Sequence, residues 1–279
     1  MKIAVAQLSA TMSKPANLER IADLTARAAD AGARLVVFPE GAMCDFGTKT
    51  DDLHSVAEPL DGQFVVALSK LADRFDLTLV AGMFESIRGE HLIYNSAVVV
   101  APSAGLAGVY RKHHLFDAFG EIESERFRAG DEAPLLVEID GFKVGVVICY
   151  DMRFASFIER AGDGGADVIA APAAWVAGPL KEEHLGVVAH ARAIDNTVYV
   201  AIAGQGPPAY TGRSVVVDPL GVTLAGLGDI DGVATAEVSR DRLTAARARL
   251  PVLAQRRADA RRAVGVPGYD DPAASAKRS

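Results

Sequence analysis

A chain of 279 residues that is half apolar, with 29 basic against 36 acidic side chains and a net charge of −7, can build one large hydrophobic core behind an acidic surface. That balance disfavours nucleic acid and anionic membrane as partners, and no run approaches the ~18 apolar residues of a membrane span. Only Cys44 and Cys149 are present, so a disulfide framework is not expected. The opening apolar stretch is short for a secretory signal, and a cytoplasmic enzyme is the expectation.

In chain order, residues 3–8 read as a buried strand. Leu18, Ile21, Ala22, Thr25, Ala28 and Ala29 mark one face of a helix that Gly32 ends. Residues 35–38 form a strand that stops at Pro39-Glu40-Gly41, and a helix over 64–75 leads into a strand over 77–84. Residues 96–100 return through Gly105 to Tyr110, and Asp140-Gly141 supplies the tight turn of a hairpin from 135 to 149. The second half repeats this order. A helix from near Phe154 leads to a strand over 167–171 that stops at Pro172; a helix over 182–196 leads to a strand over 197–203. A last hairpin, 214–217 and 222–224, echoes 96–109. Two such βαβ-rich halves predict an α/β protein, two sheets face to face under outer helices, a four-layer α-β-β-α sandwich. One domain is expected over 1–265, followed by a Gly/Pro/Ala/Ser-rich tail, 266–279, mobile or docked on a partner.

Three places carry chemistry. Cys149 ends an apolar run and precedes a helix, where the helix dipole would favour a thiolate; the same position suits a small buried hydrophobe equally. Glu40 ends a strand, an expensive place for an unpaired charge and an ordinary one for a loop carboxylate or cap. Lys112 lies in a charged cluster squeezed between apolar residues, which also reads as a solvated basic turn. The adjacent His113 and His114, and the pair His184 and His190, are poorly spaced for a shared metal, so no metal and no cofactor is expected. Cys44 has no partner. Trp175 reads as a pocket wall or as core.

Taken together, Phe38-Pro39-Glu40, Tyr110-Arg111-Lys112-His113-His114-Leu115-Phe116 and Cys149-Tyr150-Asp151-Met152-Arg153-Phe154, with Tyr94-Asn95-Ser96 and Ala191–Asn196 in support, resemble the nitrilase superfamily of carbon–nitrogen hydrolases. The resemblance is to its amidase-like branch, the omega-amidases and deaminated glutathione amidases, and it covers the chain from Ile3 to about Arg257. It implies a Glu40–Lys112–Cys149 triad, with Glu123 as a supporting carboxylate close to the competing Glu121 and Glu125. It also implies an oxyanion contact from the Tyr150 backbone N–H and a homodimer or higher homo-oligomer. The substrate it implies is a small carboxamide, cleaved to carboxylate and ammonia through a thioester. A nitrilase or N-carbamoyl amidohydrolase shares the same triad, and a silent binding subunit is the reading from another class. For a carboxylate-bearing substrate the candidate cations are Arg153, His184 and Lys181; Arg153 reads equally as an ion-pair partner of Asp151. Leu185-Gly186 stands where the family often has Trp-Glu, which bears on pocket shape.

Overall fold

Alternation with a period of two explains how one strand can serve two cores. In the strand β1 (Lys2–Gln7), Ile3 and Val5 face one cluster and Ala4 and Ala6 another, and none of the four is solvent-exposed. A strand buried on both faces belongs in the middle of a layered molecule. The computed structural model, which describes residues 1–130 and 133–263, has that architecture.

The first sheet is built from β1, β2 (Leu35–Val37) and β3 (Thr78–Ser86), all parallel, with the crossover helices α1 (Lys14–Asp30) and α2 (Gln63–Phe75). The strands β4 (Ile93–Ala101) and β5 (Gly105–Arg111) extend it antiparallel. The second sheet repeats the plan. Parallel β7 (Phe142–Val146), β8 (Val168–Ala173) and β9 (Tyr199–Gly204) are joined by α3 (Ala155–Asp163) and α4 (Lys181–Asn196), and β10 (Val215–Val217) and β11 (Thr223–Gly226) follow antiparallel. Beside β7 lies β6 (Leu135–Ile139), its hairpin partner through Asp140-Gly141. The equivalent place beside β1 is filled by β12 (Gly232–Glu237), from the far end of the chain. The outer faces of the first sheet meet α1 and α2 through Ile21, Leu24, Phe64 and Leu68. The inner residues Ile3, Val5, Val37, Val80 and Val99 meet those of the second sheet, as the four-layer expectation requires.

Three details differ from the sequence reading. Pro172 lies inside β8 and does not end it. Pairing with β7 stops at Ala170, so beyond that point only β9 flanks the strand, and that ladder runs on to Ala173 opposite Gly204. A proline is tolerated where a neighbour has already turned away. Strand β7 ends at Val146, three residues before Cys149. Beyond Leu224 the sequence reading names no element, yet β12, α5 (Arg240–Arg249) and α6 (Val252–Ala263) lie there. The expected tail 266–279 lies outside the described residues. Among those described, no helix is long and apolar enough to cross a membrane.

Candidate active site

The ends of β2, β5 and β7 bring three charged or nucleophilic groups to one cavity. Glu40 follows β2 on a backbone that lies directly over β3. Gly82 of β3 permits this contact: a Cβ there would stand 2.6 Å from the Glu40 Cα, and Gly82 donates its N–H to the Pro39 carbonyl at 3.0 Å. From the second sheet, Gln205 donates to the Glu40 carbonyl at 3.0 Å. The Glu40 side chain is buried. Its Oε1 accepts from Lys112 Nζ and Asn95 Nδ2, each at 2.8 Å, and its Oε2 accepts from the Ala174 backbone N–H at 2.7 Å.

Lys112 is the residue after β5. Its backbone bonds Asn95 on one side and Gly130 on the other, where a Cβ would collide with the Arg111 backbone. Its ammonium donates to Glu40 and to Glu123 Oε2, both at 2.8 Å, and both ion pairs are buried. Burial works against the charge, but Glu123 and Glu40 outweigh it and hold the ammonium well above its ordinary pKa. Glu123, in a 3₁₀ turn, also accepts from the Phe116 N–H at 2.6 Å and from Asn95 at 2.8 Å. Glu121 and Glu125 also line the cavity, but it is Glu123 that pairs with the lysine.

Cys149 opens a 3₁₀ turn (Cys149–Arg153) with φ +43°, a left-handed conformation that costs a non-glycine residue roughly 1–3 kcal/mol. A buried clamp supports that turn. Asp151, fully buried, accepts from the Ile148 N–H at 3.0 Å, Tyr110 Oη at 2.7 Å, and the His114 N–H and Nδ1 at 2.9 and 2.8 Å. Tyr110 and His114 bracket Lys112, and Asp151 sits two residues past Cys149, so one carboxylate ties the lysine segment to the cysteine turn. The expected thiolate is corrected here. Burial, reinforced by the negative charge of Glu40, pushes the Cys149 thiol well above its ordinary value, and one short 3₁₀ turn does not offset it.

The cavity they share is about 320 Å³, walled by Tyr150, Trp175, Tyr210 and Phe116 among others. Burial and Asp45, to which its hydroxyl donates at 3.2 Å, raise the Tyr210 phenol. Arg153 lies on the wall with its guanidinium 4.5 Å from the Trp175 ring centre. It makes no ion pair with Asp151, whose oxygens are taken by the clamp, nor with any other carboxylate among the described residues. Lys181, only 4 % exposed, lines the same cavity with its ammonium over the rings of Phe119 and Phe116, 3.6 and 5.2 Å from their centres. Burial, then the positive charge of Arg153, lowers its pKa. His184 does not line the cavity as expected; it stands behind Arg153, which donates to its Nδ1 at 3.4 Å. Trp175 is a wall residue fixed by Nε1 donation to the Lys181 carbonyl at 3.0 Å. Cys44 is buried elsewhere, and burial pushes its thiol up to about 11. Gln205, just past the end of β9, and Gly82 in β3 went unread in the sequence, because nothing local marks either as the support of a loop distant in the chain.

A buried cysteine thus stands beside a carboxylate–ammonium–carboxylate row at the carboxyl ends of strands from two stacked sheets. The chain belongs to the carbon-nitrogen hydrolase family, whose model matches residues 2–248, and it is a hydrolase acting on C–N bonds other than peptide bonds. It is 37 % identical over 259 residues to the deaminated glutathione amidase of Escherichia coli O157:H7, covering 92 % of this chain and 97 % of that one. Among solved structures, Saccharomyces cerevisiae Nit3, a member of branch 10 of the nitrilase superfamily, superposes with a TM-score of 0.83 at 30 % identity, covering 92 % and 96 % of the two chains. An amidase from Nesterenkonia sp. AN1 superposes at 0.78 with 25 % identity, covering 90 % and 98 %; that variant had undergone Michael addition of acrylamide at its active-site cysteine. The amidases among these relatives support amide hydrolysis.

Proposed function

We propose that this chain hydrolyses a small carboxamide bearing a second, anionic carboxylate, releasing ammonia through a Cys149 thioester. The observation that carries it is one cavity holding the Glu40–Lys112–Cys149 group together with two cations, Arg153 and Lys181, that no described carboxylate neutralises.

The chemistry follows from which atoms are free. Glu40 Oε2 takes the thiol proton as Sγ attacks the amide carbon, forming the C–S bond and moving the C=O electron pair onto oxygen. An ammonium has three donors. Glu40 and Glu123 occupy two on Lys112, leaving the third for the oxyanion beside the Tyr150 backbone N–H. Collapse breaks the C–N bond, and Glu40 returns its proton to the departing nitrogen, which leaves as ammonia. Glu40 then deprotonates a water that attacks the thioester; the C–S bond breaks, the proton returns to Sγ, and the carboxylate product leaves. The cysteine adduct in the Nesterenkonia amidase supports the assigned nucleophile. Arg153 and Lys181 suit the distal carboxylate through charge-assisted contacts.

The test is ammonia release from succinamate and from butyramide, with Cys149→Ala as the blank. Succinamate is expected to have the higher kcat/KM and the Ala variant none. A tenfold preference for butyramide removes the carboxylate pocket; substantial turnover by Cys149→Ala removes the thioester. Faster turnover of a nitrile or an N-carbamoyl compound would reassign the substrate class, and no turnover of any would leave a binding subunit. We further propose a homodimer: Val187 and Ile194 of α4, and Val222, are exposed apolar side chains. A monomer by light scattering at micromolar concentration contradicts it.

A further inference from the structure

Asn95 is fully buried on β4, and its side chain stands outside the cavity wall. Its two amide hydrogens go to two different carboxylates: Nδ2 donates to Glu40 Oε1 and to Glu123 Oε1, each at 2.8 Å. No donor among the described residues reaches its Oδ1. The amide cannot be turned over, because that would set its oxygen 2.8 Å from two carboxylate oxygens. An asparagine that meets no protein donor at its oxygen but gives both amide hydrogens to carboxylates is placed for its donors.

Glu40 therefore has two unlike oxygens. Oε1 takes two donors, Lys112 and Asn95; among the described residues Oε2 takes one backbone donor, the Ala174 N–H, and the Cys149 thiol is hydrogen-bonded to the same carboxylate. A carboxylate oxygen has about two good lone-pair directions. With both filled on Oε1, one remains on Oε2.

We propose that Asn95 is a positioning residue that saturates Glu40 Oε1, so that the proton shuttled from Cys149 is carried by Oε2 alone and the carboxylate stays aimed at the sulfur. The idea rests on the proposed thioester reading. Asn95 acts through Glu40 and touches no reacting atom. By holding Glu40 and Glu123 together it also keeps both carboxylates on Lys112, whose third hydrogen then stays in the cavity.

The groups facing Glu40 are Lys112 from the end of β5, Glu123 from its 3₁₀ turn, Cys149 from the second sheet, and Tyr210, itself bonded to Asp45. Removing a donor to an ionised carboxylate favours the protonated form, so the acid limb of kcat/KM should move to higher pH. Asn95→Ser should move it by about one pH unit, the size of one charge-assisted hydrogen bond. Asn95→Asp, isosteric but with a third negative charge, should move it further. KM should change less than threefold in both, because Asn95 contacts no substrate.

Acid limbs that superimpose on wild type, in variants whose kcat has fallen, overturn the proposal in favour of a merely structural asparagine. If neither variant folds, the wild-type enzyme carries the test by NMR. Both Asn95 side-chain amide protons should resonate downfield of ordinary amides and shift together across the acid limb; ordinary, unmoving resonances overturn it. Cys149→Ala is assayed in parallel. Residual turnover there refutes the thioester itself, whereas a dead Cys149→Ala with an unmoved limb in the Asn95 variants refutes the Asn95 role alone.

Discussion

Replacing Lys112 with methionine keeps most of the side-chain length and removes the charge. In the native site its ammonium lies 2.8 Å from both Glu40 and Glu123, and all three are buried. Without it, two carboxylates share a buried site with the Asn95 amide between them. Breaking a buried pair in this way costs about 3–5 kcal/mol. At roughly 2–4 °C per kcal/mol for a domain of this size, the melting temperature should fall by on the order of 10 °C near pH 8. The pH dependence has a fixed sign. Lys112 has a raised folded pKa, so in the wild type its stabilisation is fully present below 10.5 and is lost only as pH rises through that higher folded value. In the variant, one of the facing carboxylates should take up a proton as pH falls, relieving the repulsion. Differential scanning fluorimetry at about pH 5 and about pH 8 reads both effects. Amide turnover should drop by about 10²–10³ with the loss of an oxyanion donor. A melting temperature within about 2 °C of wild type near pH 8, or a stability gap that widens in acid, would refute the buried-row account.

Arg153→Leu and Lys181→Met should each lower kcat/KM for succinamate by about 10–100-fold, the worth of a charge-assisted hydrogen bond; equal losses for butyramide would remove the charge argument. Gly82→Ala should push the Glu40 backbone off β3 and cost on the order of 10² in turnover, whereas Gly228→Ala, with open space at its Cβ, should leave activity near wild type; equal behaviour of the two would sink the close-approach argument. The thiolate absorbance difference between wild type and Cys149→Ser should emerge only above pH 9.0, the ordinary thiol value, because burial and then Glu40 favour the neutral thiol; a thiolate present at neutral pH would contradict that account.

Local pattern made much of the molecule legible. Period-two runs, the helical face of Leu18, Ile21 and Ala28, and the Asp140-Gly141 turn announced the elements and the repeated order of the halves, because each depends on residues close together in sequence. The motifs around Glu40, Lys112 and Cys149 announced the family for the same reason. The hairpin echo held: β10 and β11 stand in the second sheet where β4 and β5 stand in the first. The later elements stayed hidden. The strand β12 gains its reason only by pairing with β1, and α5 carries no strong apolar stripe to mark it.

The resemblance favoured Glu123 over the neighbouring Glu121 and Glu125, and the 3₁₀ turn brings Glu123 to Lys112 Nζ. The state of Cys149 went the same way. A strand end before a helix suggests a stabilised thiolate, but burial and the charge of Glu40, 109 residues away in sequence, weigh more than one turn of backbone dipole. Arg153 read equally as a substrate cation and as a partner of Asp151 until the fold filled that carboxylate with Tyr110, Ile148 and His114 and left the guanidinium on the cavity wall. Sequence by itself determined the elements, their alternation and the residues able to do chemistry, since short-range sterics and side-chain type decide those. Tertiary structure alone decided which of those residues meet and in which direction burial and charge push the Cys149 thiol and the Lys112 ammonium, since burial and the distance between charges depend on how two sheets meet.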